Sequence, residues 1–298
     1  MTKENKTQPV QVRPYGFFIK HACGFAVLMA AAQQSTYAAD WSDTDIGWRY
    51  GTQFAEPYES NNITKNILNL THVSGYKYGI NFFNVDMLFA NQQDPSAIGS
   101  MEGSQEVYIV YRNLLDLAKI TGSTFKIGPV RDMGVTMGFD TNAKTDCCYN
   151  SKKRMVVAGP TLMMDVPGFL NISVLNLWES NAPSGWDFAT NSTYSISRYY
   201  YKTHPELDIV WGIPIGSLPL EFNGYADLIA SKGKDEFGNQ TATETHIDME
   251  LMYDVMGGKT FKVGFEYEYW KNKFGNNTAI AGPGAFAKTP MIRAEYHF

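Results

Sequence analysis

The sequence lacks a long apolar run: its 298 residues contain no window of 18 or more consecutive apolar side chains. A helix needs about 20 such residues to cross a bilayer, so a multi-helix membrane protein is excluded. Basic residues are also few, 25 against 30 acidic ones, and this balance argues against a nucleic-acid partner. Charged residues are only 18% of the chain, whereas aromatic residues reach 14%. The combination leaves two classes, a secreted β-rich domain and a transmembrane β-barrel.

Residues 1–38 have the composition of a cleaved export signal. Basic residues precede an apolar stretch at 22–32 that is too short to span a bilayer, and small residues suited to cleavage follow it. A buried core helix is the alternative, but no amphipathic pattern follows the stretch. We therefore predict a signal peptide over 1–38 and a barrel over 39–298. The basic and cleavage-site residues are Lys3, Lys6, Arg13, Lys20, Thr36, Tyr37 and Ala38.

The few cysteines give little indication of chemistry. Cys23 lies within the apolar stretch, without the lead-in of a lipoprotein anchor, and would leave with the signal. Cys147 and Cys148 are adjacent, so in an oxidising compartment they either form a vicinal disulfide or stay free. No second CxxC and no histidine cluster lies near them, so a zinc site is not expected there. The sequence predicts no metal site and no cofactor.

The dominant signal after residue 38 is an alternation of apolar and polar residues with a period of two. Over residues 244–255 the odd positions are mostly apolar and the even positions mostly acidic. Segments 261–270 and 289–298 repeat the pattern, and segment 45–54 shows it with Phe54 on the apolar face. Only a strand separates such residues into two faces, because a helix would scatter them around its axis.

The alternation predicts twelve strands, and a change of parity near Phe82 and Phe83 predicts a β-bulge in the third. Long and short connections alternate along the chain, which is the layout of an outer-membrane barrel with both termini on the short-turn side. The predicted strands are 45–54, 64–74, 76–89, 105–115, 122–140, 153–166, 168–178, 207–215, 218–230, 243–255, 260–270 and 289–298.

A membrane barrel explains the two faces better than the alternative, a soluble secreted β-protein. In lipid every backbone N–H and C=O group needs an internal partner, so a sheet closes on itself. Aromatic side chains then gather at both interfaces. The chain also ends on an apolar-face aromatic, Phe298, which is typical of bacterial outer-membrane barrels. We predict an all-β, transmembrane, antiparallel up-and-down barrel of about 12 strands, with short periplasmic turns and long extracellular loops.

The polar faces of the strands predict the chemistry of the lumen. Acidic residues dominate two neighbouring strands, while barrel closure brings Arg49 and Arg293 onto adjoining ones. Opposite charges across a narrow pore orient a dipolar solute, carboxylates accept sugar hydroxyls, and inward aromatic rings stack on a planar base at roughly 1–3 kcal/mol. The predicted lumen-lining residues are Arg49, Asp208, Glu221, Asn223, Tyr225, His246, Asp248, Glu250, Glu266, Glu268, Trp270 and Arg293.

Two other interpretations of these residues stay open. Lumen charges often pair across strands only to stiffen a barrel, so each named residue has a structural alternative to ligand contact. Catalysis has weaker support, because the histidines after residue 38 lie in no GxSxG, HExxH or comparable spacing. No enzymatic activity is predicted.

Several blocks of the sequence resemble one family. Residues 41–58 (WSDTDIGWRYGTQFAEPY), 72–90 (HVSGYKYGINFFNVDMLFA) and 103–112 (GSQEVYIVYR), with the closing GKTFKVGFEYEYW and IRAEYHF, resemble the Tsx-type nucleoside-specific outer-membrane channels, including their OmpK-like branch. The resemblance implies a monomeric twelve-stranded barrel that conducts nucleosides and related solutes by diffusion. It also implies that the outer loops serve as a phage or colicin receptor. No binding residue of the family aligns with a single position here.

We therefore expect a channel in the bacterial outer membrane for passive, nucleoside-selective diffusion, surrounded by lipid and without a nucleic-acid partner. A weakly selective cation-preferring pore is one alternative, because the predicted lumen is acidic. A structural or adhesive barrel that acts through its long loops, especially 179–206, is another. An outer-membrane hydrolase is the alternative from the enzyme class.

Overall fold

The computed structural model describes residues 39–298, and these form a closed antiparallel barrel of twelve strands. The predicted signal peptide, 1–38, lies outside the described residues. Each barrel strand pairs with its neighbour along the chain, and the last pairs with the first. The strands are β1 (Ala39–Phe54), β2 (Ile63–Tyr76), β3 (Gly79–Ala90), β4 (Gln105–Asp116), β5 (Val130–Thr145), β6 (Arg154–Met164), β7 (Phe169–Asn181), β11 (His204–Pro214), β12 (Leu220–Ile229), β13 (Glu244–Asp254), β14 (Phe261–Lys271) and β15 (Phe286–His297).

Three short strands lie in the longest connection, between β7 and β11. Strands β8 (Ser184–Asp187) and β9 (Ser192–Ser195) form a separate hairpin. Strand β10 (Tyr199–Tyr200) pairs with the last residues of β7, beyond the part of β7 that pairs with β11. No helix among residues 39–298 is long and apolar enough to cross a bilayer.

The side chains confirm the two faces that the alternation predicts. On β14, Phe265 is 70% exposed, whereas its neighbour Glu266 is 2% exposed. The same contrast recurs on β13 between Leu251, at 42%, and Asp248, at 5%. A barrel with an apolar exterior and carboxylates inside fits lipid outside, because each backbone group is paired within the closed sheet.

One residue departs from its predicted face. Phe54 is buried and packs against Ile63, Ile67 and Met291 on the inner side, so its prediction as an apolar exterior residue is wrong. Its neighbours Thr52 and Gln53 are both exposed, which shows that the alternation slips at the end of β1. Burial with other apolar side chains is more favourable for a phenyl ring than an exposed position at the loop end.

The strand boundaries differ most between β4 and β5. The prediction of a strand starting at 122 is wrong, because β5 begins at Val130. Helix α1 (Leu117–Thr121) precedes it, with the Asp116 carboxylate accepting a hydrogen bond from the Lys119 N–H. Gly122 ends the helix at a φ of 73°, a conformation that glycine adopts without strain. Residues 122–129, which the period-two pattern assigns to a strand, form a loop between this helix and β5.

The predicted β-bulge at Phe82 and Phe83 is also wrong. Strand β3 pairs in continuous register with both neighbours, and an irregular register instead separates Val130 from Asp132, where β5 meets β6. Phe82 has the inward parity of Asp86, and Phe83 faces outward. The hydropathy pattern breaks there because an aromatic side chain lies on the inner face of a regular strand.

Candidate functional site

On the inner face of the barrel, one buried carboxylate bridges two arginines. Arg49 of β1 and Arg293 of β15 are direct partners in the strand register. Glu266 of β14 accepts from both guanidinium groups, with its oxygens 3.1 Å from Arg49 Nη1 and 2.8 Å from Arg293 Nη1. The Glu266 side chain is fully buried. Two like-charged side chains can lie side by side here because a carboxylate bridges them.

Further carboxylates complete this arrangement, which we call the arginine clamp (Arg49, Asp86, Glu250, Glu266, Arg293 and Glu295). Arg293 donates through Nη1 to Glu250 and through Nε to Glu295, each at 2.6 Å. The Nη2 atom of Arg49 lies 2.5 Å from Asp86 of β3. The clamp therefore ties together side chains from β13, β14, β15, β1 and β3.

Carboxylates face one another along the wall next to the clamp. Strand register places Asp208 opposite Asp227, Asp248 opposite Glu268, and Glu250 opposite Glu266. Like charges directly opposite each other destabilise a sheet unless a cation offsets them. Arg49 and Arg293 form ion pairs with the carboxylates of the last pair. The Oδ1 atom of buried Asp248 has no hydrogen-bond partner among the described residues.

An aromatic group adjoins these acids. The Tyr225 hydroxyl lies 3.2 Å from His246 Nε2, and the Tyr225 ring meets the imidazole edge-on at 5.0 Å. His246 stacks on Trp270 with ring centroids 3.9 Å apart and planes within 10°. The Trp270 N–H donates to Glu244, and Lys273 Nζ lies 4.6 Å from the centroid of the indole ring. Trp270 is therefore already stacked and covered by the protein's own side chains, which the sequence did not indicate.

All of the predicted lumen residues lie on the inward parity of their strands, in separate groups. Four belong to the arginine clamp, and Tyr225, His246, Asp248, Glu268 and Trp270 form the adjoining aromatic and acidic wall. Glu221 lies apart, at the short-turn end, where Lys259 and Lys262 each approach it to 2.7 Å. Among residues 39–298, the side chains of Asp208 and Asn223 make no ion pair or hydrogen bond with the clamp side chains, although Asn223 is the register partner of Glu250. Ligand contact by any of them stays a prediction.

Sequence reasoning missed a second charged group, on the two strands that follow β3 in the barrel. Arg112 of β4 forms an ion pair with Asp140 of β5, and the Tyr108 hydroxyl donates to the same carboxylate at 3.0 Å. Lys153 Nζ lies 3.2 Å from the Tyr108 oxygen. Tyr108 and Arg112 are both even positions of β4, so the alternation of that strand could have found them. Asp86 of the clamp was missed although the alternation of β3 also places it on the inward face.

The long loops pack against one another over the end of the barrel from which they extend. Glu56, in the β1–β2 loop, accepts from Lys65 at 2.6 Å and lies 3.4 Å from Lys273 and 3.9 Å from Lys144. Burial tends to raise the pKa of the Glu56 carboxyl, but the ammonium groups of Lys144, Lys273 and Lys65 hold that pKa well below its usual range. The Tyr58 N–H donates to the Ala281 carbonyl of the β14–β15 loop.

A second loop cluster surrounds Glu236. The hydroxyls of Tyr149 and Tyr201, from two other loops, both donate to its carboxylate. Burial and the Glu236 charge raise the pKa of both hydroxyls, so they stay protonated in alkaline solution. Cys147 and Cys148 are joined by a disulfide beside Tyr149. These contacts join the loops to one another.

The fold and its polar lumen define a transmembrane β-barrel, and solved outer-membrane barrels are similar to it. The translocator domain of the autotransporter NalP from Neisseria meningitidis matches 94% of this chain and 96% of its own, at 9% identity and a TM-score of 0.47. The KdgM porin, solved with disordered oligogalacturonate, matches 85% and 99%, at 10% identity and a TM-score of 0.40. The NanC porin matches 86% and 99%, at 11% identity and a TM-score of 0.40. No family model and no curated protein matches the chain.

Proposed function

We propose that the chain is a bacterial outer-membrane channel that passes nucleosides and related small polar solutes by diffusion. The observation that carries the proposal is the clamp's opposed charges beside Tyr225, His246 and Trp270, inside a barrel with an apolar exterior. Such a wall offers acceptors to ribose hydroxyls and rings to a planar base. Opposed charges orient a dipolar solute as it passes the clamp.

We expect a nucleoside base to bind only weakly to Trp270, because Lys273 already lies over the indole ring. A base that stacks on the indole has to displace Lys273, which lies 4.6 Å from the ring centroid. A cation–π contact is worth about 0.5–2 kcal/mol, and stacking of a base about 1–3 kcal/mol. The exchange therefore leaves a net gain on the order of 1 kcal/mol. Weak binding of this kind suits a channel, because a solute that binds tightly does not leave the pore.

Carboxylates that do not belong to the clamp are the best candidates for the ribose contacts. Glu268 lies 3.4 Å from His246 and faces the same part of the lumen as the stacked rings. Hydrogen bonds to a charged acceptor contribute about 1.5–3 kcal/mol each. Glu268→Gln should therefore weaken nucleoside binding about tenfold, while the Arg49–Glu266–Arg293 contacts remain.

Reversible block of single-channel current in planar bilayers tests this assignment. Adenosine and uridine should reduce the current of the unsubstituted protein, and Glu268→Gln should raise the blocking concentration about tenfold. Glu102→Gln, in an exposed loop, is the matched control and should leave the block unchanged. A block that is equal in all three proteins would refute the role of Glu268. Current without any nucleoside block would refute nucleoside selectivity.

A cation-preferring pore is a second candidate, because the lumen wall contains three directly opposed carboxylate pairs. The reversal potential in a potassium chloride gradient separates it from the first, since a strongly cation-selective current that no nucleoside blocks would favour it. The packed loops at the long-loop end support a third candidate, a structural or adhesive barrel. Absence of current, with phage or colicin adsorption to the loops, would favour that candidate.

A further inference from the structure

We propose that His246, Asp248 and Glu268 bind a divalent transition-metal ion, of which Zn²⁺ is the simplest example, in the lumen wall. Each side chain offers one ligand atom, and the three atoms lie within 4.8 Å of one another. His246 Nε2 and Glu268 Oε1 are 3.4 Å apart. Two ligands of a tetrahedral zinc ion, with bonds of about 2.0–2.1 Å, are separated by about 3.4 Å. The spacing of this pair therefore already suits a shared ion.

The buried carboxylate of Asp248 supports the metal site independently of the ligand spacing. It is 5% exposed, its Oδ1 atom has no hydrogen-bond partner among the described residues, and strand register places it opposite the carboxylate of Glu268. A buried carboxylate oxygen without a partner, beside a second carboxylate, is unfavourable unless a cation or a proton is present. The nearby guanidinium groups of Arg49 and Arg293 are bound to the clamp carboxylates. A bound cation would satisfy the free oxygen of Asp248.

The donor set favours a transition metal over Ca²⁺ or Mg²⁺. Imidazole nitrogen suits zinc and related ions, whereas Ca²⁺ takes 6–8 oxygen ligands and Mg²⁺ retains its waters. A second group of carboxylates, Asp248, Glu250 and Glu266, lacks a nitrogen ligand and includes two residues that already bind arginines. The positive charge of those arginines disfavours a metal ion at that position. The His246 group is therefore the better site.

A neighbouring side chain already orients the imidazole, because the stacked indole of Trp270, at 3.9 Å, fixes the plane of the ring. Positioning of a ligand by its surroundings raises affinity for a metal. The Tyr225 hydroxyl lies 3.2 Å from Nε2, the atom that would bind the ion, so metal binding displaces that contact. The sequence predicted no metal site, because the three residues lie on two strands and acquire their spacing only through register. The site shares His246 and Glu268 with the wall proposed to contact nucleosides, but zinc binding is measured without any nucleoside and does not rest on transport.

Calorimetric titration of the folded protein in detergent with Zn²⁺ tests the proposal. One ion should bind per chain, and His246→Gln and Asp248→Asn should each weaken binding at least about tenfold. Glu206→Gln is the matched control, because Glu206 is also a buried lumen acid with an unpartnered oxygen but is paired in register with Ile229 and Leu175. It should bind zinc like the unsubstituted protein.

Cobalt provides a readout that does not depend on the variants folding. Co²⁺ bound to the unsubstituted protein should give the intense visible absorption of a tetrahedral site, and Zn²⁺ should abolish it by competition. Absence of stoichiometric binding would overturn the proposal and would favour a proton shared by Asp248 and Glu268. Equal zinc binding in Asp248→Asn, His246→Gln and the unsubstituted protein would also overturn it, by placing the ion elsewhere.

Discussion

Substituting Glu266 by glutamine should destabilise the barrel strongly. The carboxylate is fully buried and bridges Arg49 and Arg293, which are adjacent in the strand register. Glutamine keeps the size of the side chain but removes the charge and directs an N–H₂ group at a guanidinium. Loss of one partner of a buried ion pair costs about 3–5 kcal/mol. We expect about 3 kcal/mol, the lower end, because Arg49 keeps Asp86 and Arg293 keeps Glu250 and Glu295.

Urea-induced unfolding in lipid vesicles, followed by tryptophan fluorescence, measures this loss. A decrease of 3 kcal/mol corresponds to a change of about 100-fold in the unfolding equilibrium. Glu102→Gln, on an exposed loop, should shift the free energy of unfolding by less than about 0.5 kcal/mol.

A double-substitution cycle of Glu266→Gln with Arg293→Met separates the interaction from general damage. The double variant should lose less stability than the sum of the single variants, with a coupling of about 0.5–3 kcal/mol. Glu266→Gln that unfolds at the same urea concentration as the unsubstituted protein would refute the clamp as a stabilising element. A coupling of zero would mean that the two side chains do not interact.

Three predictions concern the loops. The pKa of the Glu56 carboxyl is depressed in the folded loop, so its contacts, including that with Lys144, stabilise the loop fully at pH values above 4.5, the ordinary pKa of the group. This stabilisation is lost as the pH falls through the depressed pKa. Hydrogen exchange over 55–62 should therefore accelerate only in strong acid, and Glu56→Gln should make it fast at neutral pH. Gly284→Ala would drive a methyl group into the Glu56 carbonyl oxygen, so proteolysis over 272–285 should accelerate, and an unchanged rate would contradict the loop packing. Cys147 and Cys148 should react with a thiol reagent in the unfolded protein only after reduction, and free thiols beforehand would contradict the disulfide.

The strands were predictable because the bilayer imposes a strong pattern on them. Lipid outside and polar groups inside force opposite chemistry onto alternate residues, and β13 to β15 show that contrast over most of their length. The inward parity of residues such as Glu266 and Arg293 follows directly from it. Adjacency of Arg49 and Arg293 also followed, since barrel closure pairs the first strand with the last.

The remaining features depend on contacts that alternation does not record. Phe82 faces inward on a regular strand, so the apolar–polar alternation breaks there in the same way as it would at a bulge. Glu56 and Lys144 are far apart in the chain and meet only when two loops fold together. The stacking of His246 on Trp270 depends on the register of β13 with β14, which the sequence alone does not fix. Parity identifies a face, but contacts between side chains require register.

Planar-bilayer recording of the purified barrel, with uridine on one side and then an equal concentration of a neutral hexose, tests the proposed channel most directly. The account predicts discrete current steps that uridine reduces reversibly and the hexose leaves nearly unchanged. Silent insertions, or steps that both solutes reduce equally, would contradict it.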